Sequence, residues 1–396
     1  MNILKFLLAG ILTCIAIFQF HNARLFNPLY GLDAQGHIEY LEYLKTNKHL
    51  PLPHEGWELY QTPIYYLDTL PAYLYGGVKA VQLQNVVYYL AYLILTGYLV
   101  LKIFPKEKSA RLVATLTLAA LPVANYLVPM ISNESLNVYL ISLSLLIFMI
   151  KPYQLATVLL IVLAFYNKYT ALTLGPAYLV SLVLNKAKNW SKILLYGFIF
   201  LLLTLPIFWR NYSHYQRLLP IASEFFPYQT PKKVHNLKFF TNMQWVSQVD
   251  LFRAHTHSFI GGTWNTFWHD GYQLTVPVVE THKKALGLWI LGFPLFILSV
   301  IGWIKLRKSD PHVFAIGMTY LVTALGAYIY YNLRLPYDSE VKAFFMSGLP
   351  IIYTLGMTGC YHYVPKTRKI MVILLLLQFT LMISYFWIQP WWHIAK

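Results

Sequence analysis

The sequence predicts an all-α, polytopic membrane protein, and three observations carry that prediction. Eleven stretches are apolar enough to be candidate spans, where a bilayer crossing needs about 20 mainly apolar residues. Charged residues make up 12% of the 396 residues and hydrophobic ones 57%, whereas a soluble domain carries about 25% charged residues. Basic residues gather in short connections on one face, and acidic residues gather on the other. Membrane orientation therefore accounts for the formal charge of +16. A nucleic-acid partner would call for a basic domain with interleaved aromatics, and the one segment long enough, 210–284, also holds Glu224, Asp250, Asp270 and Glu280. Cys14 and Cys360 lie in or at the end of apolar runs, which excludes a disulfide framework or a thiolate metal site.

The candidate spans are 3–20, 84–104, 111–129, 135–150, 153–167, 169–184, 191–209, 286–304, 312–330, 343–360 and 370–388. The first outruns a signal-peptide core and precedes no small-x-small cleavage site, so it reads as an uncleaved span. The pair 153–167 and 169–184 is short and is expected to tilt or to be partly re-entrant. KIFPKEKSAR, NKAKNWSK, KLRKSDP and PKTRK are basic connections on one face, which positive-inside places in the cytoplasm. The N-terminus is then inside and the C-terminal WWHIAK outside. Of the 15 acidic residues, only Glu107 and Asp310 fall on the cytoplasmic side. The outer face consists of 21–83, 129–135, 210–285 and 331–342. The chain is expected to be one multi-pass domain over 1–396, with no soluble domain after the last span.

In the first outer segment, Asp33 precedes AQGHIEYLEYLKTNK, whose Ile38, Leu41 and Leu44 form an apolar stripe flanked by Tyr40 and Tyr43. This predicts an amphipathic interfacial helix. Asp33 occupies its N-cap position, where a carboxylate satisfies a free N–H and meets the positive helix end. His37 lies one turn on and shares its face. A cap and a catalytic base are compatible roles for Asp33, since a held carboxylate suits proton abstraction from a hydroxyl.

The stretch YGLDAQGHIEYLEYL…LPLPHEGWELYQTPIYY resembles the first extracytoplasmic loop of GT-C-fold glycosyltransferases, the protein-mannosyltransferase and aminoarabinose-transferase kind of bacterial family 39. The resemblance implies a GT-C-like bundle of about eleven transmembrane helices, with interfacial helices in the first outer loop and a longer outer loop at 210–285. Its acidic residue after the first span is Asp33. Its His/Gln-x-Pro-x-Tyr-Tyr element is Gln61, Pro63, Tyr65 and Tyr66, with Gln where His is commoner, and Glu55 stands just upstream; Glu55, Gln61, Tyr65, Tyr66 and Asn133 are the expected substrate-binding residues. The Asn-acid pair of its second outer loop is Asn133 and Glu134, which also fit a helix start after Ser132. Lys168, with no acidic neighbour in sequence, matches a basic residue able to hold a lipid phosphate. Arg334 and Lys342 match the late segment and would meet that phosphate from the opposite side, or would pair with Asp338 and Glu340.

The resemblance further implies an inverting transfer of a sugar from a polyprenyl-phosphate donor to an acceptor hydroxyl, outside a bacterial cytoplasmic membrane. Asp33 is the expected base, with His37 and Glu134 orienting the acceptor or tuning it. The acceptor, whether glycan, lipid or protein, stays open. No nucleotide-sugar fingerprint is needed, and no nucleic acid is expected. HTH at 255–257 and HD at 269–270 leave a divalent metal open, although no third ligand stands at a diagnostic spacing. The aromatic run WNTFWHDGY suggests an interfacial belt, or a wall for sugar or lipid. A transporter or flippase of lipid-linked sugar, or a non-catalytic polyprenyl-phosphate binder, is the alternative.

Overall fold

The computed structural model describes residues 2–31, 33–152, 154–185, 190–221, 225–226, 232–233 and 235–390. The chain is a helical membrane protein, and the described residues contain no strand. Its helices are α1 (Asn2–Leu25), α2 (Ala34–Asn47), α3 (Ile64–Ile103), α4 (Ala110–Ala120), α5 (Pro122–Tyr126), α6 (Asn133–Ile150), α7 (Leu155–Asn167), α8 (Leu174–Leu184) and α9 (Trp190–Tyr215). After them come α10 (Leu237–Thr241), α11 (Gln244–Ser247), α12 (Phe259–Trp268), α13 (Val278–Ser309), α14 (Pro311–Arg334), α15 (Leu349–Tyr363) and α16 (Arg368–Phe386). Among the described residues, α1, α3, α6, α9, α13, α14 and α16 are long and apolar enough to cross a bilayer. The other apolar runs fall on the shorter α4, α7, α8 and α15.

Run 111–129 is broken rather than continuous. Pro122 has no N–H, and its ring crowds the carbonyl one turn back, so α4 ends at Ala120 and α5 restarts. Asn125 Nδ2 donates to the carbonyls of Ala119 (3.0 Å) and Leu121 (2.8 Å) at the break. Its Oδ1 accepts from Gln19 Nε2 (2.8 Å) and the Tyr89 hydroxyl (3.1 Å). The interruption thereby keeps its polar groups satisfied where no water reaches them.

The segment 21–83 is less of a loop than the sequence suggests, because α3 begins at Ile64 and folds back at Gly76–Gly77. Gly77 has φ 63° and ψ −159°, a region essentially reserved for glycine. Beyond the fold, Gln84 Nε2 donates to Asp68 Oδ2 at 3.3 Å and the Tyr88 hydroxyl bonds to the same oxygen. A straight helix would hold Asp68 and Gln84 about 24 Å apart. The short arm exposes Leu67, Leu74 and Tyr75, as an element lying in the interface does. Gly77→Ala is expected to destabilise the protein by about 1–3 kcal/mol, measured by thermal unfolding in detergent.

Helices α13 and α15 approach so closely that a Cβ at Gly302 would lie 1.7 Å from the Gly356 carbonyl oxygen. Such small-residue crossings let membrane helices pack backbone to backbone. Trp303 Nε1 donates to the Ile352 carbonyl across it (2.9 Å). The start of run 343–360 is not part of α15. It is a short 3-10 turn, Ala343–Phe345, held by Ala343 N donating to Thr266 Oγ1 of α12 (2.8 Å). Gly348 N then donates to the Tyr320 hydroxyl of α14 (2.8 Å). The aromatic run around α12 is mostly interior: Phe267 and Trp268 are buried, and Trp264, Phe267 and Trp268 pack among Phe293 and Tyr353. Most of it is therefore core rather than an exposed belt, because its tryptophans face α13 and α15.

Candidate active site

Five separate stretches converge on one cavity of about 670 Å³ at one end of the bundle. They are residues 33–61, the start of α6, the turn after α7, Leu219 and Ile221 after α9, and the end of α14 with the segment that follows it. Asp33, His37, Gln61, Asn133, Glu134, Lys168, Arg334 and Lys342 all line it. That volume lies within the usual range for a small-ligand site, about 300–1,000 Å³.

Asp33 precedes α2, as expected, but it does not cap the helix. Its φ of 52° and ψ of 25° are left-handed, whereas a capping side chain needs extended backbone to reach back to the first N–H groups. No side-chain cap bond forms. Oδ1 instead accepts from Trp57 Nε1 at 3.3 Å, and the carboxylate faces the cavity. Left-handed backbone is uncommon outside glycine, and aspartate is among the residues that adopt it most readily.

The buried face of α2 is Ala34, His37, Tyr40, Leu41 and Leu44, rotated slightly from the Ile38–Leu41–Leu44 stripe. His37 Nδ1 shares a 2.7 Å hydrogen bond with the Tyr66 hydroxyl. Tyr66 stacks flat on Tyr40 at 3.6 Å. Burial pushes the imidazole down to about 4; Asp33 opposes that shift and Lys168 adds to it. His37 is therefore neutral at pH 7. A folded-state pKa below the ordinary 6.5 gives stability that is complete above pH 6.5 and lost as pH falls toward 4. Acidification over that window is expected to cost roughly 1–3 kcal/mol through this group. Thermal unfolding of wild type and His37→Gln at several pH values checks it, since the difference removes contributions from other groups.

Along the cavity wall runs a directional hydrogen-bond chain. Asn133 Nδ2 donates to the Asn167 carbonyl (3.2 Å) and to Gln61 Oε1 (3.2 Å). Gln61 Nε2 donates to Glu58 Oε2 and to the Tyr60 hydroxyl, both at 2.8 Å. Beside it, Lys168 Nζ bonds to Glu134 Oε1 in a largely buried ion pair. Lys168 has no acidic neighbour in sequence, and the fold supplies its partner from 34 residues away. Ser132 caps α6 by accepting from Glu134 N (3.2 Å), so Glu134 serves in a helix first turn and in the cavity wall.

Lys342 is 6% exposed and has no ion-pair partner among the described residues. Its ammonium sits 5.6 Å from the Tyr272 ring, 5.8 Å from Phe344 and 5.5 Å from Phe345. Lys168 lies 5.4 Å from the same Phe345 ring. Aromatic faces stabilise a desolvated cation by roughly 2 kcal/mol, which lets Lys342 stay inside without a carboxylate. Arg334, in the last turn of α14, is exposed at the cavity rim.

Three expected substrate-binding residues do not line the cavity. Glu55 is exposed; it accepts from the Tyr43 hydroxyl (2.9 Å) and from Leu52 N, closing a local turn. Tyr65 and Tyr66 are fully buried. Tyr65 accepts from Asn85 Nδ2 (3.4 Å), and Tyr66 backs His37. The HTH and HD motifs serve local packing: His255 stacks on Tyr272 at 4.1 Å, His257 Nε2 lies 3.7 Å from Asp250, and Asp270 Oδ2 accepts from Thr275 N and Oγ1. Among the described residues no group of three His, Cys, Asp or Glu is placed to hold a metal.

No family model matches the sequence, and no curated protein matches it. Solved structures do match. The crystal structure of ArnT from Cupriavidus metallidurans bound to undecaprenyl phosphate aligns with 92% of this chain at a TM-score of 0.58 and 12% identity. The apo state of the same protein gives 0.57 over 92% at 13% identity. The chain has the ArnT fold. It spans 62% of the length of those ArnT chains. Within the ArnT fold, sequence reasoning missed several residues of this site, among them Trp57, Glu58 and Phe345. Glu58 and Glu55 stand three apart in one polar stretch, and only the contact with α2 distinguishes them. Phe345 carried no signal, because an aromatic beside an apolar run is ordinary.

Proposed function

We propose that this protein is an inverting glycosyltransferase that moves a sugar from a polyprenyl-phosphate donor to an acceptor hydroxyl. The observation that carries the reading is the convergence on one cavity, in an ArnT-like bundle, of the Asp33 carboxylate and a buried cation, Lys342, that has no ion-pair partner among the described residues. Undecaprenyl phosphate in the similar ArnT structure supports a lipid phosphate as the donor's leaving group. The acceptor hydroxyl attacks the anomeric carbon opposite the phosphate, and its proton passes to Asp33. The bond from the anomeric carbon to the phosphate oxygen breaks, and its electron pair stays with the phosphate. Lys342 and Arg334 stabilise that charge. The Glu134–Lys168 pair, with Asn133 and Gln61, keeps the opposite wall in register.

On this reading the whole chain is one multi-pass domain of a bacterial cytoplasmic membrane. The segments 21–83 and 210–285 belong to the extracytoplasmic side, as do Asp33 and Lys342. The test is to incubate purified protein with a panel of polyprenyl-phosphate sugars and follow release of free polyprenyl phosphate. Release dependent on Asp33 supports the transferase. Binding without release across a broad panel overturns it in favour of a transporter or a non-catalytic binder.

A further inference from the structure

We infer that Glu58 is a second carboxyl of the same site, kept protonated, whose Oε1 donates a hydrogen bond to a sugar or acceptor oxygen while Asp33 takes the acceptor proton; this rests on the glycosyltransferase reading.

Glu58 is 4% exposed and lines the cavity. Its stem lies directly on α2 at Gly36, where a Cβ would stand 2.6 Å from Glu58 Cγ and 3.0 Å from its Cβ. Gly36 lies between Asp33 and His37, so the packing that requires glycine sets the Glu58 carboxyl on the wall they share. The hydrogen-bond chain then assigns its oxygens. The Asn167 carbonyl can only accept, so the Asn133 amide nitrogen must face it. That nitrogen also reaches Gln61 Oε1, which turns the Gln61 nitrogen onto Glu58 Oε2. Oε2 is thus an acceptor, and a proton on this carboxyl belongs on Oε1, since the Gln61 amide on Oε2 is the hydrogen bond that the Glu58 carboxyl makes among the described residues.

The surroundings favour that proton. Asp33 faces Glu58 from just before α2 and His37 from α2, Tyr66 from α3, Glu134 from α6, Lys168 from the turn after α7, and Tyr60 and Gln61 from its own turn. Lys168, the one cation in that set, is held by Glu134. Burial and then the Asp33 charge push the Glu58 carboxyl well above the usual carboxylate range, with a smaller push from Glu134; the Gln61 amide and Lys168 act the other way without prevailing. Asp33 is exposed and Glu58 is buried, so of these two carboxyls Glu58 is the one that its surroundings keep neutral. A neutral carboxyl can donate to a ligand oxygen, which Asp33 as a carboxylate cannot.

The test combines a readout that needs no turnover with one that does. Infrared difference spectra of wild type minus Glu58→Gln at pH 7, in detergent, are expected to show the carbonyl stretch of a protonated carboxyl, fading as pH rises. In the transfer assay, Glu58→Ala is expected to lose at least about 100-fold in kcat/KM, the effect of leaving buried polar groups unmatched. Glu58→Gln, which can still donate, is expected to recover most of that loss and to flatten the alkaline fall of the wild-type pH profile. Gly36→Ala is expected to cost far less stability in the Glu58→Ala background than alone. Absence of the infrared band overturns the proposal, as does Glu58→Gln proving no more active than Glu58→Ala. If the wild type transfers no sugar, the reaction falls and takes this role with it, while the band still reports the state of Glu58 separately.

Discussion

Asp33→Asn is expected to lower sugar transfer by about 10²–10⁴-fold, the usual contribution of a positioned general base, while leaving expression, unfolding temperature and donor binding close to wild type. The structure separates the two outcomes. A capping aspartate would take helix stability with it on replacement, typically about 1 kcal/mol. Asp33 makes no cap bond, and its side chain touches Trp57 at the cavity instead. Asparagine also tolerates the left-handed backbone that this position demands. Release of free polyprenyl phosphate, measured beside thermal unfolding, checks both halves. Loss of fold together with activity would return Asp33 to a structural role.

The two cavity lysines, Lys342 and Lys168, are expected to behave in opposite ways. Lys342→Met should weaken polyprenyl-phosphate binding by about 10–150-fold, the equivalent of a charge-assisted hydrogen bond worth 1.5–3 kcal/mol. It should leave stability unchanged or slightly raised, because it removes a desolvated charge that has no ion-pair partner among the described residues. Lys168→Met should instead destabilise the protein by about 3–5 kcal/mol, since it strands Glu134 as an uncompensated charge. Binding titrations and unfolding curves on both variants test the contrast. Equal stability loss in the two would remove the distinction on which Lys342 is assigned to the phosphate.

The apolar runs were legible because a bilayer imposes a length and composition that little else produces. The charged members of the site were legible for a related reason: in a chain so poor in charge, Asp33, Glu134, Lys168 and Lys342 stand out individually. What stayed hidden depends on partners distant in sequence. The Lys168–Glu134 pair bridges 34 residues, and Glu58 differs from Glu55 only through Gly36, on a helix that precedes both. The fold of α3 at Gly76–Gly77 was signalled by a glycine pair. However, the apolar residues on either side disguised an interfacial arm as the approach to a span. The interruption at Pro122 was visible as a proline, but the carbonyls left there needed Asn125, Gln19 and Tyr89 to make it tolerable.

The aromatic cage around Lys342 has a kinetic consequence. A glycosyl phosphodiester carries one negative charge, whereas the monoester left after transfer carries about 1.5–2 at pH 7. A cation surrounded by rings rather than carboxylates gains more from the second species than from the first. On the proposed reading this cation therefore holds the spent lipid more tightly than the phosphate of fresh donor, and each cycle is expected to end in a slow exchange of one isoprenoid for another. Progress curves should bend early as spent carrier accumulates, and an enzyme that recycles the carrier should straighten them.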